Sequence, residues 1–141
     1  MADTKSEQIM AAVTTLMGGL TGITVYRSRV DALSRRQAPA LVISQEGNVP
    51  GPTPVSTCKI DWDLTVNMEF YCRGAIPDSQ ASPFIAAAHA LLMADRTLGG
   101  LAIDVWPGPQ QPQLDPTDNT AIWMVCPYGI RHRTTQASLS S

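Results

Sequence analysis

Residues 58–72, CKIDWDLTVNMEFYC, alternate between apolar and polar positions without a break. Ile60, Trp62, Leu64, Val66, Met68, Phe70 and Cys72 share one parity, and Lys59, Asp61, Asp63, Thr65, Asn67, Glu69 and Tyr71 share the other. Successive strand side chains point to opposite faces, so the pattern predicts one half-buried β-strand. At about 3.4 Å per residue it extends roughly 50 Å. A chain of 141 residues collapses to a globule only about 37 Å across. Such a strand either bends at a bulge or projects as half of a hairpin arm.

The same reading predicts the other elements. Thr4 and Glu7 have capping-box spacing, and Ile9, Met10, Val13, Leu16, Met17 and Leu20 then recur at helical intervals up to Gly18-Gly19. Short strands follow over 23–27 (ITVYR) and 39–44 (PALVIS), with a basic turn between them. GNVPGPTPVST, rich in proline and glycine, predicts a loop. Ser82-Pro83 marks the start of a second helix running to about Arg96, with Phe84, Ile85, Ala88, Leu91 and Leu92 facing inward. LAIDVW predicts a strand and PGPQQPQLDPTDN a second long loop. TAIWMVCPYGIRHRT, 120–134, predicts another long strand, with Pro127 arguing for an edge position or a bulge. The expected fold is α+β: two helices packed on one face of a mostly antiparallel mixed β-sheet with two long strands. Residues 1–134 form one domain in this reading, and 135–141 a disordered tail.

Composition narrows the function classes. The net charge of −2 recruits neither nucleic acid nor an anionic membrane. The uncharged run from Gln8 to Tyr26 is interrupted by threonines and glycines and has no basic segment before it, so it reads as neither a membrane span nor a signal peptide. A cytosolic protein is the expectation. The charged fraction of 16% is low for a freely diffusing monomer and points toward assembly, because interface cores are depleted in charge. Three cysteines, Cys58, Cys72 and Cys126, cannot all pair and fit small buried hydrophobes in a reducing compartment.

Enzyme signatures are missing: the chain has no GxSxG, Walker lysine loop, GxGxxG or HExxH. His89 reads as a histidine at the core edge or surface, and His132 as one on a solvated strand edge. Asp61 and Asp63 lie on one strand face, about 6–7 Å apart. Paired carboxylates serve acid–base chemistry or hard cations, but an open sheet face supplies no cleft. No catalytic residue, metal or cofactor is expected. Together with Glu69, these carboxylates make the polar face acidic, which suits a pore lining that repels a phosphate backbone. It suits an ordinary solvated face equally well. Arg27, Arg29, Arg35 and Arg36 fit a solvated basic turn and ion pairing with a neighbouring subunit in equal measure.

Taken in order, the chain resembles the tail terminator proteins of long-tailed bacteriophages, the phage lambda tail terminator among them. The likeness lies in the arrangement: a short N-terminal helix, the YRSRV strand-turn, and a proline-rich loop before the long alternating strand. The helix ending in DRTLGGLAIDV and the closing strand IWMVCPYGIRHRT complete it, over about residues 5–134. TLGGL is its most telling piece, and the two proline-rich loops, 47–57 and 107–119, depart from the pattern.

The resemblance implies a non-enzymatic virion protein without cofactors, assembled in the host bacterial cytoplasm and located at the head-proximal end of the tail. It would form a homo-oligomeric ring, a hexamer, on the last ring of the tail tube protein. There it stops polymerisation and offers the surface that a head-neck connector protein joins. DNA would pass through the pore without specific binding, and no membrane is involved. In that frame Asp61, Asp63 and Glu69 are candidate pore-lining residues. Arg27, Arg29, Arg35, Arg36, Arg131 and Arg133 are candidate inter-subunit contacts. The alternatives are another phage morphogenesis protein, such as a head-completion or neck component or a tail-tube subunit, and a small ligand-binding protein or enzyme.

Overall fold

The computed structural model describes residues 3–28, 39–51, 58–115 and 118–140. It is an α+β protein with two helices and one mixed six-stranded sheet. The elements are α1 (Lys5–Met17), β1 (Thr24–Arg27), β2 (Ala40–Pro50), β3 (Lys59–Arg73), α2 (Pro77–Ala94), β4 (Asp104–Pro107), β5 (Gln111–Asp115) and β6 (Asp118–Thr135). Strand order is β1-β2-β3-β6-β4, with β5 also on β6. Only β1–β2 is parallel.

The alternating strand forms as its pattern requires. β3 pairs with β6 from Lys59↔Thr135 to Arg73↔Ala121 without a register shift. The ladder neither bulges nor stands free as an arm, because β2 flanks β3 and β4 with β5 flanks β6. The two helices share its length: α2 lies over β3 and β6, and α1 over β1, β2 and β6. Ile9, Met10, Val13 and Met17 of α1 and Ala88 and Leu92 of α2 meet Leu41, Ile43, Leu64, Val66, Met68, Phe70, Cys126 and Ile130 of the sheet in one buried core. α1 begins as its capping signal predicts, with Thr4 Oγ1 accepting from the Glu7 N–H at 3.2 Å. The Glu7 carboxylate does not complete the box; it takes the Arg27 guanidinium instead, with Nη1 at 2.7 Å.

Five expectations are corrected. Residues 47–50 are strand, not loop: after a register shift between Gln45 and Gly47 they continue on β3 as far as Pro50↔Trp62. α2 starts at Pro77 and carries Pro83 inside, because Pro77 already supplies the first-turn proline. Residues 111–115 leave the predicted loop and pair with β6 as strand β5. Pro127 is tolerated in a central strand for a local reason. Its carbonyl accepts from the Gly108 N–H at 2.8 Å, and N–H and C=O of one residue in an antiparallel strand point to the same side. The missing donor therefore faces the interruption between β4 and β5. Residues 136–140, expected as a disordered tail, form turns tied to α1: the Lys5 N–H donates to Leu139 O at 2.6 Å.

Candidate functional site

The surface of interest is the sheet face turned away from both helices. On β3 it carries Asp61, Asp63, Thr65, Asn67 and Glu69, all partly buried, because alternation sends Leu64, Val66, Met68 and Phe70 to the core. The register sets Arg133 directly across from Asp61 and Arg131 across from Asp63. Both pairs form two-point forks. Arg133 donates Nε and Nη2 to Asp61 Oδ1 and Oδ2 at 2.6 and 3.1 Å. Arg131 donates to Asp63 at 2.9 and 3.3 Å. The Arg133 guanidinium holds the Asp61 carboxyl below its usual range, and the partner carboxylates raise both arginines.

The face is not a bare acidic strip, since two of the three carboxylates that β3 places on it are paired with arginines of the facing strand. Arg131 and Arg133 are each engaged by an aspartate of the same chain. Arg27 is likewise engaged by Glu7 of α1, which raises its pKa and lowers that of Glu7. Arg29, Arg35 and Arg36 lie outside the described residues. Glu69 differs from the other carboxylates: burial alone pushes its carboxyl up.

Pattern reading missed Trp106. It lies flat over Gly129, where a Cβ would stand 2.3 Å from the indole, and the Arg131 guanidinium sits 5.7 Å from the ring centroid. A glycine amid bulky strand residues was the available signal. Trp106 borders a shallow concavity of about 550 Å³, lined also by Glu46, Asn67, Glu69, Gln111 and Val125. At the other end of this face Tyr71 and Trp123 pack at 4.7 Å over Ala40 and Ala121.

The titratable groups elsewhere do not converge on this face. His89 shares a 2.8 Å hydrogen bond with the Tyr128 hydroxyl, and burial pushes that phenol up to about 12. Cys72 and Cys126 are buried, with thiols pushed up to about 11, which leaves them unreactive at neutral pH. His132 is not on a solvated edge: it is 1% exposed, on the helix-side face of a central strand. Among the described residues no three His, Cys, Asp or Glu side chains cluster as metal ligands, and no helix is long and apolar enough to cross a membrane.

Fold and face together define a two-layer α+β protein with one sheet face clothed by helices and one left open among the described residues. No protein-family model matches the chain, and no curated protein matches it.

Proposed function

We propose that this chain is a structural virion protein that caps the phage tail tube as a sixfold ring, halts tube growth and presents the surface to which the head is joined. The observation that carries this reading is the unbroken β3–β6 ladder, polar and charge-compensated on its open face and apolar on the other. The element order of the resemblance, short helix first and long strands third and last among the strands along the chain, supports it too.

The face suits a channel for duplex DNA. Binding of a phosphate backbone is driven by counterion release when free cations neutralise it, and here Arg131 and Arg133 are already held by Asp63 and Asp61. The ladder thus offers DNA little to adhere to. Two strand edges suit contacts between copies. Among the described residues, nothing pairs with 45–50 of β2 on the side away from β3, or with 111–115 of β5 on the side away from β6. Leu114 and Val49, 71% and 63% exposed, lie on these edges. Ladder edges invite pairing, and a closed ring satisfies them. Weak contacts are multiplied by the sixfold geometry.

Mass photometry of the purified chain, alone and after addition to tail tubes, tests this. Six copies of 15.1 kDa amount to about 91 kDa. Ring-sized particles or end-bound rings support the reading, whereas a persistent monomer with no affinity for tubes overturns it.

A further inference from the structure

His132 lies on β6, where β2, β3 and the start of α1 come together. Its ring runs within 10° of parallel to the Trp62 indole of β3, centroids 6.5 Å apart. Nε2 donates to Asn48 Oδ1 of β2 at 3.2 Å. With the hydrogen on Nε2, Nδ1 is the basic nitrogen, and it is buried with no hydrogen-bond partner among the described residues. Around this ring run the bonds of a seam. Trp62 Nε1 donates to Thr134 Oγ1 at 2.9 Å, and Lys5 Nζ donates to Arg133 O at 3.1 Å. The Lys5 N–H donates to Leu139 O, and the Gln136 N–H donates to Cys58 O at 3.0 Å. The seam thus ties the first turn of α1, the start of β3 and residues 136–140 together.

A proton arriving at Nδ1 would create an N–H without an acceptor and a buried cation without a free counter-charge. On α1, Lys5 repels that cation. On β3, Asp63 attracts it, but Asp63 is occupied by Arg131 of β6. β2 contributes the uncharged Asn48.

We propose that His132 is an acid-sensitive latch: its neutral ring keeps the seam closed, and protonation at Nδ1 opens the seam while the α2 half of the ladder stays paired. The inference is independent of the tail-capping reading. The geometry also fixes its sign. Burial, then Lys5, depress the histidine below its ordinary value of 6.5. The closed seam is therefore fully stable above about pH 6.5 and loses stability as pH falls through the lower closed-state value. Asp61 and Glu7, both lowered by their arginines, withdraw their support only below about their ordinary 3.8 and 4.5. Glu69, raised by burial, works in the opposite direction, adding stability as pH falls toward 4.5. The range between about pH 7.5 and 5.5 therefore belongs chiefly to His132.

Hydrogen exchange at those two pH values, normalised for intrinsic rates, tests the latch. The Lys5 and Gln136 amides should lose up to about tenfold in protection at the lower pH, the one unit that separates it from the ordinary histidine value, while the Val66 and Phe70 amides hold theirs. His132→Gln should abolish the response. Equal protection at both pH values, or an undiminished response in the variant, overturns the proposal. An NMR titration of the wild-type ring covers the case of a variant that does not fold. Titration below 6.5, tracked by the Lys5 and Gln136 amides, supports the latch; titration at or above 6.5, or without those amides, refutes it.

Discussion

On the helix side of β3, Leu64, Val66, Met68 and Phe70 are 0–1% exposed and locked among α1, α2 and β6. At the intervening positions on the same strand, Asp61, Asp63, Thr65, Asn67 and Glu69 keep partial access to water on the face away from the helices. The backbone is common to both faces, so the contrast separates what apolar burial does from what charge pairing does. Burial of a large side chain contributes about 1.5–3 kcal/mol. A half-exposed fork contributes far less, because solvent screens it and ordering two long side chains costs entropy. The core face decides that the ladder forms. The open face decides what the ladder tolerates alongside it.

The largest expected effect is Phe70→Ala, which should cost about 3–5 kcal/mol in urea unfolding, whereas Asn67→Ala, three positions away on the open face, should cost well under 1 kcal/mol. Equal losses would erase the distinction between the faces. Next is Gly129→Ala. Its new methyl displaces the Trp106 indole, with a loss of about 1–3 kcal/mol and a red shift in the Trp106 emission. Unchanged emission would show that the ring does not rest on the glycine. Smallest is Arg133→Ala with Asp61→Ala, which should leave the melting temperature close to that of the parent at moderate salt. A steep loss would mean that the forks, and not the core, hold the ladder together. The reversal Asp61→Lys with Asp63→Lys sharpens the functional side of the comparison. It adds two cations beside Arg131 and Arg133 on the open face, and ring assembly should persist while DNA retention rises and infectivity falls.

Much of this fold was legible from period alone. Period 2 over 59–72 and the apolar spacing of α1 each specify an element, since one face must be buried. The α2 start was misplaced because two prolines stand six residues apart and either fits a first turn. Residues 47–50 and 111–115 were hidden because glycine and proline speak for loops, and only tertiary pairing to β3 and β6 overrides them. The open face was half legible. Its carboxylates were visible on one parity of one strand, but their partners sit some seventy positions along, and register between distant strands is not written in either one alone. His132 was misjudged for the same reason: register against β3 sets it opposite Trp62 and so on the helix-side face, where it is buried.

Electron microscopy of tails assembled in lysates with and without this chain tests the central claim most directly. The account predicts tails of one length, each closed by a ring, when the chain is present, and overlong tubes lacking heads when it is absent. Tails of normal length joined to heads in its absence would contradict it.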